Sequence, residues 1–156
     1  MKEKPILHID MDDTILHYTP AIEEALRHNL EIKYPQSQID FYRNLMPIQG
    51  AIVTIKEIEE YGYDIYILSC PSPLNPHSYT EKRIWIEEHL GTDYIEKLIL
   101  TMNKGLVKGD YLVDDWTEGR GQENFEGELL HYGSVKFPNW NTISDYLKSK
   151  IKSSTY

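Results

Sequence analysis

The chain has 156 residues, of which 40% are hydrophobic and 26% charged, and its formal net charge is −9. This length suits a single domain with a buried core. The acidic charge disfavours nucleic-acid polymers and anionic membranes as partners, because both bind basic surfaces. The single cysteine, Cys70, excludes an intramolecular disulfide. No apolar run resembles a signal peptide or could span a membrane, so we expect a cytoplasmic location.

Apolar runs alternate along the chain with segments of helical period. In chain order, strands are predicted at residues 6–9, 64–68, 98–100, 110–113 and 128–132, and helices at 21–30, 51–60, 77–90 and 141–151. Leu26 and Leu30 would share the apolar face of the first helix, and Tyr79, Ile86 and Leu90 that of the third. The alternation predicts an α/β fold with a parallel sheet and helices on both faces.

Residues 31–47 interrupt the alternation. This stretch is aromatic and polar, with Tyr34, Phe41, Tyr42 and Arg43, and it lies between the first strand and the second strand–helix unit. We expect it to be an insertion that covers a site at the edge of the sheet.

Three carboxylates follow the first strand directly: Asp10, Asp12 and Asp13. Ligands bind at the carboxyl ends of strands in open α/β sheets, and crowded like charges are costly unless a cation or a reaction uses them. Asp10 and Asp12 can share one face because alternate strand residues point the same way. The alternative is a polar turn, in which Asp is common.

Other polar residues follow the later strands: Ser69 after the second, Lys104 after the third, and Asp114 with Asp115 after the fourth. Each has an ordinary alternative, namely a turn serine, a solvated lysine and an acidic helix cap. Four signals at the same edge of one sheet favour a functional site.

This set resembles the pattern of the haloacid dehalogenase superfamily of phosphotransferases. That pattern is Asp-x-Asp-x-Thr, then Ser or Thr, then Lys, then an acidic pair, which here are Asp10-x-Asp12-x-Thr14, Ser69, Lys104 and Asp114-Asp115. The resemblance implies a Rossmann-like, doubly wound parallel sheet in a single domain over residues 1–156. It also implies a small helical cap, inserted after the first strand, at residues 18–47.

The chain is more closely similar to the 5'(3')-deoxyribonucleotidases of the cytosolic type-C nucleotidase group. The similarity lies in residues 9–12, 67–73, 81–87 and 98–115, and in the tail at 124–127 with Trp140. The residue after the second aspartate is often Gly in that group and is Asp13 here. Asp13 has no assigned role: it faces solvent or caps the next helix.

The resemblance implies a Mg²⁺-dependent phosphomonoester hydrolase acting on deoxyribonucleoside monophosphates. Asp10 would be the nucleophile that forms an aspartyl-phosphate, and Asp12 the general acid and base. Ser69 and Lys104 would bind the phosphoryl group. Mg²⁺, which prefers oxygen ligands, would be held by Asp10, the backbone carbonyl of Asp12, and Asp115, with Asp114 as the second choice.

Substrate contacts are expected at two further positions. Tyr18 would stack on the nucleobase, or else belong to the hydrophobic underside of the cap with Phe41 and Tyr42. Cys70 would line the base pocket through its backbone. Lys82 and Arg83 are expected on a solvated helix face. The resemblance is compatible with a homodimer, although no apolar surface stripe demands one.

Two other functions remain open from the sequence. A phosphatase of the same superfamily could act on another small ester, such as a sugar phosphate. A non-catalytic binding module could keep the fold, although both Asp10 and Asp12 are present.

Overall fold

Five parallel strands form one sheet in the computed structural model, which describes residues 3–153. The predicted domain of residues 1–156 includes residues 1–2 and 154–156, which lie outside the described part. The strand order is β3-β2-β1-β4-β5. The strands are β1 (Ile6–Ile9), β2 (Asp64–Ser69), β3 (Leu98–Leu100), β4 (Tyr111–Asp114) and β5 (Glu128–His131).

Within residues 3–153, four α-helices and four short 3-10 helices accompany the strands. The α-helices are α1 (Thr19–His28), α2 (Ala51–Glu60), α3 (His77–His89) and α4 (Trp140–Ser153). The 3-10 helices are Pro35–Ser37, Thr92–Tyr94, Lys104–Leu106 and Gln122–Asn124. The predicted α/β class and the predicted order of strands and helices are confirmed.

Two helix faces differ from the prediction. The first helix ends at His28, so Leu30 lies beyond it and is 88% exposed. The third helix exposes Tyr79 and buries Ser78, Glu81, Lys82, Trp85 and Ile86. Apolar periodicity failed in α3 because the face turned toward the protein carries polar side chains with specific partners.

The two faces of the sheet are covered differently. Leu7, Ile9 and Ile67 belong to the main core, which includes buried residues of α2, α3 and α4. Leu68 and Leu112, on the opposite face, pack with Phe125 in a second small cluster. Phe125 directly follows the 3-10 helix Gln122–Asn124, which contacts the 3-10 helix Lys104–Leu106. On this second face, two short 3-10 helices therefore take the place of long α-helices.

The strand order places a switch point between β1 and β4. The chain leaves β1 toward β2 on one side, whereas β4 pairs with β1 on the other side. Ile9 is in register with Val113, and the backbone N–H of Asp10 donates to the Val113 carbonyl at 2.9 Å. The residues that follow Ile9 and Val113 are therefore brought together at the position where open α/β sheets bind ligands.

Candidate active site

A cavity of about 640 Å³ lies at the carboxyl ends of the strands. It is lined from β1 by Asp10, Asp12 and Asp13, and from the β4 end by Asp114, Asp115 and Trp116. The β2 end contributes Cys70 and residues 71–73, and the connection after β3 contributes Lys104. Tyr18, Gln36 and Tyr42 line it from the chain between β1 and α2. Residues far apart in sequence thus share one cavity.

Three carboxylates meet at the switch point. Asp10, Asp114 and Asp115 each offer an oxygen within 4.8 Å of the others. Asp10 and Asp114 are buried, and Asp115 is half-buried. The Thr14 hydroxyl lies 3.2 Å from Asp10 Oδ2 and 3.3 Å from Asp115 Oδ1. Such a group of hard oxygen ligands suits Mg²⁺.

Lys104 joins two of these acids. Its Nζ donates to Asp10 Oδ1 and to Asp114 Oδ2, both at 2.6 Å, and the side chain is 2% exposed. Burial lowers the pKa of Lys104, but Asp10 and Asp114 outweigh it, and the pKa lies above its ordinary value. Lys104 therefore carries a permanent positive charge beside Asp10.

The crowding raises the pKa of the strand-end acids. Burial and the charge of Asp10 raise the pKa of Asp114 to about 6, against the opposing effect of Lys104. Burial, Asp10 and Asp114 together raise the pKa of Asp115 to about 8. The site therefore holds more negative charge than its own cations neutralise, and a bound dication would relieve the repulsion.

Asp12 has a different partner from the three clustered acids. Its Oδ1 accepts a hydrogen bond from Lys82 Nζ at 2.7 Å, and Lys82 also donates to Ser69 Oγ at 2.9 Å. Burial raises the pKa of Asp12, Lys82 lowers it and Asp10 raises it again, with a net increase. The carboxylate of Asp12 is therefore paired with Lys82 and is not part of the cluster that Asp10, Asp114 and Asp115 form.

The expectation of a solvated face is wrong for Lys82. Its side chain is fully buried, with Nζ 4.9 Å from the centre of the Tyr42 ring, whereas Arg83 is exposed and pairs with Glu87. A sequence signal did exist: Lys82 lies three and four residues before Trp85 and Ile86, and therefore on their helix face. A lysine on the apolar side of a helix suggests a buried partner.

The predicted substrate residues Tyr18 and Cys70 both line the cavity. The ring of Tyr18 stacks on that of Tyr42, with centroids 5.9 Å apart. Burial raises the pKa of the Cys70 thiol, which disfavours a nucleophilic thiolate. Ser69 is fully buried, and its hydroxyl oxygen is occupied by Lys82.

The family is identified by comparison with known proteins. The family model described as "5' nucleotidase, deoxy (Pyrimidine), cytosolic type C protein" matches residues 17–136, more than half of the chain. The chain belongs to this family. It is therefore a 5'-nucleotidase by family, which is a class of phosphoric monoester hydrolase.

Individual relatives agree with this family. A Vibrio phage KVP40 protein named "Putative 5'(3')-deoxyribonucleotidase" is 34% identical over 153 residues, covering 96% of this chain and 88% of the phage protein. The human "5'(3')-deoxyribonucleotidase, cytosolic type" is 41% identical over 85 residues, covering 53% of this chain and 42% of the human protein. A Bacillus subtilis 5'(3')-deoxyribonucleotidase is 30% identical over 152 residues, covering 92% of this chain and 79% of the Bacillus subtilis protein.

A solved structure shares the fold. The class C acid phosphatase from Bacillus anthracis has a TM-score of 0.56 and 17% identity to this chain, covering 100% of this chain and 80% of the phosphatase chain. The predicted haloacid dehalogenase-like fold and the predicted membership of the type-C nucleotidase group are confirmed.

Asp13 holds the start of α1 in this nucleotidase. Its backbone is left-handed, with φ of 55°, a conformation that Asp tolerates better than most residues. Its carboxylate accepts hydrogen bonds from the backbone N–H groups of Tyr18 and Thr19 at 2.9 Å, and from the Thr19 hydroxyl at 2.5 Å. Of the two alternatives for Asp13, the helix cap is correct.

Buried side chains fasten residues 36–45 to α3 and to the loop before it. The Glu81 carboxylate accepts the backbone N–H of Asp40 at 2.7 Å and that of Tyr42 at 2.9 Å. Asn75 Nδ2 donates to the Gln36 carbonyl at 2.7 Å, and Trp85 Nε1 donates to the Leu45 carbonyl at 2.8 Å. The aromatic stretch expected to cover the site is thus held by side chains that were not among the predicted site residues.

Glu81→Ala should loosen this stretch. Glu81 is 4% exposed and satisfies two backbone donors, so its loss should lower the free energy of unfolding by about 3 kcal/mol. In hydrogen-exchange mass spectrometry, the amide hydrogens of Asp40 and Tyr42 should exchange faster in Glu81→Ala than in the unmodified protein. Those of β1 should change less. Glu87→Ala, on the exposed side of α3, is the matched control. Unchanged exchange at residues 40–42 in Glu81→Ala would contradict the assigned role.

Proposed function

We propose that the chain is a Mg²⁺-dependent 5'(3')-deoxyribonucleotidase that hydrolyses deoxyribonucleoside monophosphates through an aspartyl-phosphate intermediate. The observation that carries the proposal is the position of Asp10. It lies at the switch point, with Lys104 at 2.6 Å and with Asp114 and Asp115 in one acidic cluster. The names of the phage, human and Bacillus subtilis relatives support the substrate class.

The acidic cluster fits Mg²⁺. Asp10 and Asp115 would hold the ion with the backbone carbonyl of Asp12, because the carboxylate of Asp114 already accepts three hydrogen bonds, more than that of Asp10 or Asp115. Asp114 accepts from Lys104, from Gln122 Nε2 at 3.2 Å and from the backbone N–H of Trp116 at 2.9 Å. Asp114 would therefore support the site and orient Lys104. Bound Mg²⁺ would neutralise phosphoryl charge.

Asp10 and Asp12 divide the covalent chemistry. An Asp10 oxygen attacks phosphorus, and the bond between phosphorus and the ester oxygen breaks. Asp12 gives its proton to the departing alkoxide, then removes a proton from the water that hydrolyses the aspartyl-phosphate, which releases inorganic phosphate. The raised pKa of Asp12 supports a protonated acid in the first step.

Lys104 and Ser69 hold the phosphoryl oxygens in this proposal. Lys104 supplies a permanent positive charge against the dianion. The Ser69 oxygen accepts from Lys82, which leaves the hydroxyl hydrogen of Ser69 to donate to substrate. We assign Tyr18 to base stacking and the backbone of Cys70 to the wall of the base pocket, and residues 18–47 to a small cap. A cytoplasmic location and a homodimer belong to the same proposal.

The decisive experiment measures phosphate release from a panel of esters. Purified protein would be assayed in Mg²⁺ and in EDTA on deoxyribonucleoside and ribonucleoside monophosphates, both 5' and 3', and on sugar phosphates. We expect Mg²⁺-dependent release that is fastest with deoxyribonucleotides. Fast release from sugar phosphates alone would keep the chemistry and replace the substrate. No release from any ester would favour a non-catalytic module.

Stability should depend on pH and on Mg²⁺ in a linked way. In EDTA, the raised pKa values of about 6 for Asp114 and about 8 for Asp115 mean that the folded state binds protons more tightly than the unfolded state. Their contribution should therefore lower the free energy of unfolding as pH rises from about 4 to about 8. Excess Mg²⁺ should remove this decline, because the ion favours the ionised form of both acids.

Urea denaturation, monitored by tryptophan fluorescence at several pH values, checks this prediction. Asp115→Asn is the matched control, since it should show a smaller decline in EDTA and a smaller gain from Mg²⁺ than the unmodified protein. The comparison between the two proteins also cancels other titrations, such as that of buried His8, whose pKa is lowered chiefly by burial. Equal pH profiles for the two proteins would contradict the prediction.

A further inference from the structure

Gln36 carries a polar group in the cavity wall that the chemistry above leaves unused. It lies in the 3-10 helix Pro35–Ser37, and it is among the residues that line the cavity. Its amide oxygen Oε1 is buried and has no hydrogen-bond partner within residues 3–153. Buried polar atoms are nearly always paired, so an unpaired acceptor on a residue that lines a substrate cavity calls for a donor.

The backbone of Gln36 is fixed independently of its side chain. The Gln36 carbonyl accepts a hydrogen bond from Asn75 Nδ2 at 2.7 Å, and Asn75 is 1% exposed. Pro35, the residue before Gln36, is also buried. The side chain therefore has a fixed anchor, and rotation about its last bonds would turn the oxygen, which is buried in the unliganded protein, toward the cavity. Replacing the side chain should leave the anchor in place.

The surroundings of Gln36 indicate what could supply the donor. The same cavity holds the phosphate-directed groups Asp10 and Lys104, and it has aromatic walls at Tyr18 and Tyr42. A ligand filling it needs a phosphate, a planar face and a polar edge. Nucleobases meet the last two requirements because each has an N–H donor next to an acceptor on one edge. A carboxamide matches that edge with two hydrogen bonds.

We propose that the Gln36 carboxamide determines specificity by binding the edge of the nucleobase, with Oε1 accepting a base N–H. This inference rests on the proposed nucleotidase function and adds the residue that distinguishes a nucleotide from a phosphate ester without a base. Gln36 takes no part in the bond-breaking step, so its contribution appears in substrate binding.

The test compares Gln36→Met, which keeps the chain length and removes hydrogen bonding, with Gln38→Met as the matched control. Gln38 is exposed two residues further along and does not line the cavity. Both variants and the unmodified protein would be assayed with Mg²⁺ on dTMP, dCMP, dAMP and dGMP. Deoxyribose 5-phosphate would be measured as a substrate and as a competitive inhibitor, because it has the same sugar and phosphate without a base.

We expect Gln36→Met to lose about 10-fold to 100-fold in kcat/KM on the best nucleotide, mainly through a higher KM. Deoxyribose 5-phosphate should bind and react within about twofold of the unmodified protein, and Gln38→Met should match the unmodified protein on every ester. For N3-methyl-dTMP, which lacks the ring N–H, kcat/KM should differ little between Gln36→Met and the unmodified protein.

Two results separate failure of this inference from failure of the proposed function. If the unmodified protein hydrolyses nucleotides but Gln36→Met keeps its kcat/KM within about twofold, Gln36 does not bind the base. An equal loss on deoxyribose 5-phosphate would show a general disturbance of the cavity and would also overturn the inference. If the unmodified protein releases phosphate from no nucleotide, the proposed function itself is wrong.

Discussion

Asp10→Asn should abolish catalytic turnover while leaving the fold intact. If Asp10 forms the covalent intermediate, the amide that replaces its carboxylate cannot attack phosphorus. The kcat should then fall by about 10⁵-fold or more, the scale seen when a covalent nucleophile is removed. Phosphate release with Mg²⁺ measures the loss. After incubation with ³²P-labelled substrate and an acid quench, the unmodified protein should retain the label and the variant should retain none.

The expected stability of Asp10→Asn runs opposite to its activity. Asp10 is buried beside two other acids and raises the pKa of both Asp114 and Asp115. Removing its charge relieves that repulsion, and Lys104 keeps Asp114 as a counter-ion at 2.6 Å. In EDTA the thermal midpoint should therefore be equal to or higher than that of the unmodified protein.

Asp13→Asn is the matched control, because it makes the same chemical change three residues away. Asn also tolerates left-handed backbone and can still accept the N–H groups of Tyr18 and Thr19. Its activity should stay within a few-fold of the unmodified protein. Comparable losses in Asp10→Asn and Asp13→Asn would show that negative charge in this loop matters and that Asp10 has no special role.

The strand-end residues could be predicted from sequence because a topological rule brings them together. Asp10, Ser69, Lys104 and Asp114 each follow a short apolar run, and the carboxyl ends of parallel strands share one edge. Register then completes the placement, since Ile9 pairs with Val113. No knowledge of side-chain packing was needed to place Asp10 beside Asp114.

The contacts around α3 follow no such rule. Glu81 binds backbone groups of residues 40 and 42, about 40 residues earlier, and a backbone N–H leaves no mark in the sequence. The 3-10 helices on the second face of the sheet span three residues each, which is too short to show a period. Helix faces chosen by hydrophobicity alone thus missed the polar side of α3, on which Lys82 lies.

Lys82→Met should slow turnover at a different step from Asp10→Asn. Burial raises the pKa of Asp12, Lys82 lowers it and Asp10 raises it, so loss of Lys82 should raise this pKa further. A protonated Asp12 can still protonate the leaving group, but it cannot remove a proton from water. Hydrolysis of the aspartyl-phosphate should become limiting, and kcat should fall by about 10²-fold or more.

Rapid-quench kinetics can resolve the two steps in Lys82→Met. Nucleoside should appear in a burst of about one equivalent per enzyme, followed by slow steady-state release, whereas Asp10→Asn should show no burst. The acidic limb of the kcat profile should move to higher pH, because the second step needs ionised Asp12. Both signatures separate an effect on Asp12 from a general loss of structure, which would lower the burst and the steady state together.

Arg83→Met controls for the loss of a positive charge on α3. Arg83 is adjacent in sequence but exposed, and its partner Glu87 lies on the same helix, a kind of pair that contributes little. Its kcat and pH profile should match those of the unmodified protein. Full activity in Lys82→Met would mean that the buried ammonium only fills space between Asp12, Ser69 and Tyr42. A shifted profile in Lys82→Met alone would show that α3 sets the protonation of Asp12.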